Sequence, residues 1–67
     1  MKPLVSILIP VYNAEKYLEE TLDSVISQDY EELEIIILDD GSSDSSFSII
    51  SSYALRDHRI KVERQEN

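Results

Sequence analysis

Leu33-Glu34-Ile35-Ile36-Ile37-Leu38-Asp39-Asp40-Gly41-Ser42 is the stretch on which the fold turns. Five apolar residues, three of them β-branched isoleucines, run with one glutamate into two carboxylates and a glycine. A short run of this composition, closed by a turn signal, predicts a buried strand. In an open α/β sheet, ligands bind outside the carboxyl ends of the strands. The acidic turn is therefore a candidate site as well as a strand terminator.

Upstream, Leu4 to Ile9 is apolar except for Ser6 and is bounded by Pro3 and Pro10. It predicts a first strand buried on both faces of a parallel sheet, with a buried helix as the alternative. Pro10 lacks the N–H that a central ladder needs and is expected to end that strand. Asn13 is a good helix N-cap, and Glu15 falls in the first turn, where the helix dipole favours a negative charge. From Ala14 to about Gln28, Tyr17, Leu18, Leu22, Val25 and Ile26 recur at helical spacing and predict one face packed on the sheet.

Downstream, Ser43 or Asp44 can cap a second helix ending near Leu55, with Phe47, Ile50 and Ala54 as its inward stripe and Ile49 and Tyr53 at the margin. The alternation Ile60-Lys61-Val62-Glu63 suits a third, half-exposed strand, and Arg64-Gln65-Glu66-Asn67 reads as a frayed end. Strand, helix, strand, helix, strand implies parallel strands with right-handed crossovers. The expectation is an α/β fold, a three-stranded parallel Rossmann-like half sheet in the spatial order 3-2-1 with two helices, residues 1–67 forming a single half domain.

Composition narrows the function. The 67 residues allow at most one small domain, which buries only roughly 60% of the surface its unfolded chain exposes. There is no cysteine, so neither disulfides nor a Cys-based zinc site supplement the core. Fourteen acidic against six basic residues give a net charge of −8, which repels phosphate backbones and argues against nucleic acid as a partner. The apolar run at the start is too short to span a bilayer and lacks signal-peptide flanks, so the chain reads as cytoplasmic, with attachment to a membrane surface left open.

Two signatures carry the chemistry. After Pro10, Tyr12 is lifted to the rim of the sheet, where its flat face can stack a nucleobase, worth about 1 to 3 kcal/mol per base. A core-edge aromatic followed by a plain cap at Asn13 is the simpler alternative. At Asp39-Asp40, adjacent carboxylates repel unless a ligand, cation or donor answers them. Neighbouring strand residues point to opposite faces, so one Asp can face a pocket while the other bonds the turn, with Gly41 supplying the unusual backbone angle. A carboxylate there can accept the imino N–H of uracil or a ribose hydroxyl; an Asp-Gly turn with a cap is the simpler reading. Gly41 is the sole glycine, so no G-x-G-x-x-G or P-loop is present and a diphosphate has no evident seat. His58, among Arg56, Asp57 and Arg59, reads as a solvated loop histidine. Tyr30 is expected over the end of the first helix.

The string from Val5 to Asp44 resembles the start of the inverting glycosyltransferases of family 2, which have the GT-A fold. Val5-Ser6-Ile7-Leu8-Ile9-Pro10-Val11-Tyr12-Asn13 is similar to the opening strand. Tyr17-Leu18 through Ser24-Val25 and Gln28-Asp29-Tyr30 is similar to the first helix and following turn, and Leu33 to Asp44 to the second strand and its acidic turn. The resemblance implies binding of a nucleoside-diphosphate sugar, commonly a UDP-sugar, with Tyr12 near the base, Asp40 as its acceptor, Asp39 beside it, and Pro10 and Asn13 shaping the pocket. It also implies a divalent cation, Mg²⁺ or Mn²⁺, and inverting transfer to an acceptor hydroxyl. The family's Asp-x-Asp metal motif, acceptor region and catalytic base lie later than Asn67. No catalytic or metal-binding residue is thus expected here, and the isolated chain is expected to be inactive. The first strand is central in such a fold, so its edge, Leu4 to Ile9, is expected to pair with a second copy. A receiver-like signalling module, with Asp39-Asp40 as an acidic Mg²⁺ pocket, is the alternative from another class.

Overall fold

Strand and helix alternate as the apolar periods require: β1 (Val5–Val11), α1 (Glu15–Ile26), β2 (Leu33–Asp40), α2 (Ser46–Arg56) and β3 (Ile60–Gln65). The structure is a computed structural model that describes residues 3–66. All three strands are parallel, with β2 central and β1 and β3 at the edges, the order read from the sequence. The register sets Val11 opposite Asp39 and Asp39 opposite Arg64.

The side-chain alternation of β2 shows which face is inside. Leu33, Ile35, Ile37 and Asp39 are buried, whereas Glu34, Ile36, Leu38 and Asp40 are half-buried. Leu18 and Leu22 of α1 and Ile50 and Tyr53 of α2 join Ile35 and Ile37 in one core cluster. Both helices therefore cover the same face, as two successive right-handed crossovers in one direction require. The expectation that the strands are buried on both faces is corrected: among the described residues no layer covers the second face, and Leu8 on β1 is 64% exposed. Its polar end is stitched by Ser6 Oγ donating to Glu34 Oε1 at 2.9 Å and Lys61 Nζ donating to Glu34 Oε2 at 2.8 Å.

Pro10 does not end β1; it lies inside the strand, opposite Leu38. The physical reason is the direction of the ladder. Val5 N–H donates to the Glu32 carbonyl at 2.8 Å, so the odd-numbered residues of β1 turn their N–H groups toward β2. The even-numbered ones, Pro10 among them, face the open edge, where a missing N–H costs no ladder bond. Three further expectations shift. Tyr17 is 70% exposed and does not belong to the inward stripe of α1, whereas Tyr53 is buried, its hydroxyl donating to Asp23 Oδ1 at 2.6 Å. Arg64 and Gln65 belong to β3 and are not frayed, while Asn67 lies outside the described residues.

At the amino end of the strands, Arg59 fastens the molecule. Its guanidinium pairs with Asp57 at 2.8 Å and also donates to the carbonyls of Ile26, Gln28 and Tyr30 at the end of α1 and the loop after it. The hydrogen bonds from Arg59 hold the Asp57 carboxyl down at about 2. Tyr30 is half-buried, its hydroxyl donating to the Pro3 carbonyl at 2.6 Å. His58 is exposed, 4.0 Å from Glu31. Among the described residues no helix is long and apolar enough to cross a membrane.

Candidate functional site

The two sequence signatures meet at the carboxyl ends of β1 and β2, because Val11 and Asp39 are register partners. The two loops that follow are bonded to each other. Asn13 takes a left-handed backbone, φ 46°, which asparagine tolerates better than most residues. Its N–H donates to Ser42 Oγ at 2.9 Å, and its Oδ1 accepts from Ser43 N–H at 2.8 Å. The expectation of Asn13 as the cap of its own helix is corrected: Ala14 holds the N-cap position, and the side chain of Asn13 is turned to the other loop.

The opening N–H groups of α1 are instead satisfied from across the gap. Ala14 N–H donates to Ser46 Oγ at 2.8 Å and Glu15 N–H to Asp44 Oδ2 at 3.3 Å. The exchange is reciprocal, since Ser45 N–H donates to Glu15 Oε2 at 3.1 Å. Asp44 also accepts from Ser46 N–H at 2.8 Å, just outside α2, whose N-cap position is Ser45. The hydrogen bond from the Ser46 side chain, followed by backbone N–H bonds, holds the Asp44 carboxyl below its ordinary value. The start of α1 is thus held by Asp44 and Ser46, and Ser45 at the start of α2 by Glu15, which locks β1–α1 to β2–α2 at the point where a ligand is expected.

Asp39 and Asp40 divide between the two faces as strand alternation requires. Asp39 is fully buried on the helix side. It accepts from Ser42 Oγ at 2.5 Å and from Ser42 N–H at 3.2 Å, and Arg64 Nε lies 3.2 Å from its Oδ2. Gly41, at φ 73°, makes the reversal that brings Ser42 back onto that carboxylate. Asp40 is half-buried on the uncovered face and accepts from Gln65 Nε2 at 3.0 Å. The next residue after Val11 is Tyr12, 53% exposed. Pro10, Tyr12, Asn13 and Asp40 therefore stand together at one end of the sheet with accessible surface, whereas the carboxylate of Asp39 is enclosed and holds the turn.

Sequence reasoning missed Arg64, Gln65 and Ser46. The cation that answers Asp39 and the amide that answers Asp40 both come from the end of β3, in a polar tetrapeptide with no periodic signal. Arg64 also lies 4.4 Å over the ring of Phe47 and donates to the Ser42 carbonyl at 3.2 Å. A cleft of about 630 Å³ opens here, lined by Gly41, Arg64, Gln65 and Glu66. An apolar groove of about 480 Å³, lined by Val5, Ile7, Val25 and Leu33 among others, lies at the other end of β1, away from both signatures.

The family model for Glycosyl transferase family 2 matches residues 6–67. The chain belongs to this family. As a family 2 chain it is 42% identical over all 67 residues to Glycosyltransferase GlyG of Streptococcus pneumoniae serotype 4 (strain ATCC BAA-334 / TIGR4), covering 22% of that protein. It is 48% identical over the same length to the Uncharacterized glycosyltransferase EpsJ of Bacillus subtilis (strain 168), covering 20%. It spans about a fifth of the length of these relatives. Among solved structures, the mannosyltransferase PcManGT from Pyrobaculum calidifontis, in complex with GDP-Man and Mn²⁺, superposes with a TM-score of 0.79 at 29% identity, over 100% of this chain and 20% of that one. TarS 1-349 of S. aureus in complex with UDP gives 0.72 at 29% identity, over 98% of this chain and 19% of that one. The GT-A architecture expected from the sequence is the one found.

The described residues do not fit a divalent cation such as the Mn²⁺ of the mannosyltransferase complex. Among the described residues no group of three or more His, Cys, Asp or Glu side chains could hold a metal ion. Asp39 is taken by Ser42 and Arg64, and Asp40 is met by Gln65. The same observation leaves the receiver-like reading without its acidic Mg²⁺ pocket.

Proposed function

We propose that these residues form the nucleotide-sugar-binding portion of a family 2 glycosyltransferase that moves a sugar from a UDP-sugar to an acceptor hydroxyl with inversion. The observation behind this reading is the strand register: Val11 is opposite Asp39, and Tyr12 and Asp40 are the next residue on each strand's path. Tyr12 offers a ring face for stacking and Asp40 an acceptor for a ring N–H. Pro10 and Asn13 fix the path of the chain that carries Tyr12, and Asp39 fixes the turn that carries Asp40. Uracil and guanine, the bases of the nucleotides in the two solved complexes, both carry an imino N–H beside a carbonyl. Such a group is what a carboxylate in Asp40's position selects.

In this reading the 67 residues bind the nucleotide of the donor. Calorimetric titration with UDP tests it. Tyr12→Ala is expected to weaken binding by about ten-fold, from a stacking contribution of roughly 1–3 kcal/mol. Unaltered affinity in that variant removes the stacking role.

We further propose that the isolated chain self-associates through β1. The N–H groups of Ser6 and Leu8 point away from β2, and Leu4, Val5 and Leu8 are exposed beside them. An unpaired apolar edge of this kind is a template for another strand.

A further inference from the structure

We infer that Gln65 is the positioning residue of the base acceptor, so that selection of a nucleobase bearing an imino N–H depends on Gln65 as well as on Asp40. The inference rests on the reading of Asp40 given above. Gln65 closes β3 and is the register partner of Asp40. The two lie on the face opposite α1 and α2, while Asp39 and Arg64 pair on the helix side. Gln65 Nε2 donates to Asp40 Oδ1 at 3.0 Å. An ionised carboxylate only accepts, so the amide must turn its nitrogen toward it.

Consider what that bond does to the acceptor. A carboxylate on an otherwise free side chain rotates and offers two equivalent oxygens in a range of directions. A donor on Oδ1 narrows that rotation and takes one of the oxygen's two lone pairs. Oδ2 takes no hydrogen bond among the described residues, and it is left as one directional acceptor beside the cleft at Gly41. A fixed acceptor rewards a donor at one place and penalises a lone pair there. Uracil presents N3–H, whereas cytosine presents a bare N3. Discrimination of this kind comes from the unpaired polar group that the wrong ligand leaves behind. Gln65 does not touch the base in this arrangement; it acts through Asp40.

The experiment is calorimetric titration of the 67-residue chain with UDP and with CDP, reading the ratio of the two dissociation constants. Gln65→Met keeps the length of the side chain and removes the donor. It is expected to weaken UDP roughly five-fold, the scale of one hydrogen bond, and to leave CDP nearly unchanged, so the ratio falls. Gln65→Lys restores a donor and is expected to restore the ratio, because any added attraction for phosphate acts on both nucleotides alike. A ratio unchanged in Gln65→Met, or both nucleotides weakened equally, overturns the inference. Asp40→Ala separates this from the parent reading. If it erases the preference while Gln65→Met retains it, the role of Gln65 falls and that of Asp40 stands. If Asp40→Ala also retains the preference, or the unaltered chain binds neither nucleotide, both fall.

Discussion

Arg64 reaches from the end of β3 to the buried carboxylate of Asp39, Nε to Oδ2 at 3.2 Å, and caps the Ser42 carbonyl at the same time. One guanidinium thereby holds both ends of the acidic turn. Its other face rests on the ring of Phe47, where cation–π attraction adds to the ion pair. Removing one partner of a buried pair leaves an uncompensated charge. Arg64 is itself about half exposed, so water offsets part of the loss. Arg64→Leu is expected to destabilise the chain by about 2 kcal/mol, below the range of a fully buried pair, measured by urea denaturation. Arg64→Lys, which cannot bridge Asp39 and Ser42 with a planar fork, is expected to recover only part of this. An unchanged unfolding midpoint in Arg64→Leu contradicts the role.

The interlocked loops make a second prediction. Asn13→Gly keeps access to the left-handed backbone but removes the acceptor that Ser43 uses, whereas Asn13→Ala loses both. Asn13→Ala is expected to cost about 1–2 kcal/mol, the scale of a lost helix cap, with Asn13→Gly in between. Equal and negligible effects in thermal denaturation would show that the cross-loop bonds carry no stability.

Acid should loosen the opposite end of the sheet late. Asp57 is held at about 2, below its ordinary 3.8, by the hydrogen bonds from Arg59. A lowered carboxylate contributes stability that is fully present above the unfolded value and is lost as the pH falls through the folded one. The contribution is therefore intact above about pH 4 and disappears toward pH 2. Asp57→Asn is expected to flatten that part of the stability curve; a curve of unchanged slope between pH 4 and 2 in circular dichroism would contradict it.

Self-association gives a fourth test. Light scattering of the isolated chain is expected to show dimers or larger species that Leu8→Lys returns to monomers, since a charge on an exposed edge disfavours pairing. A stable monomer at high concentration contradicts the edge-pairing proposal.

Much of the fold was legible because apolar periodicity is a local property. The run Leu33 to Leu38 marked β2, and Leu18 and Leu22 marked the buried side of α1. Pro10 and Asn13 depend on context that local patterns do not carry. Pro10 reads as a strand stop, yet β1 passes through it because the ladder directs that residue's nitrogen to the open side. Asn13 has the composition of a cap but serves the neighbouring loop, a choice fixed only when β1 and β2 pair. The supports of the site were the least legible. Arg64 and Gln65 sit in a polar tail with no pattern, and their value comes from register with Asp39 and Asp40, residues 25 positions away in the same sheet. Ser46 is fully buried because its hydroxyl receives the Ala14 N–H, a contact that serine's polar character does not announce.

The most direct test follows UDP on the chain by nuclear magnetic resonance, with the Tyr12 ring and the Asp40 and Gln65 side chains assigned. Addition of UDP is expected to shift the Tyr12 ring protons upfield, as a stacked base requires, and to perturb Asp40 and Gln65 in the same titration with one dissociation constant. Perturbations confined to the apolar groove around Val5 and Leu33, with Tyr12 and Asp40 unmoved, would contradict the assignment of the nucleotide to the carboxyl ends of β1 and β2.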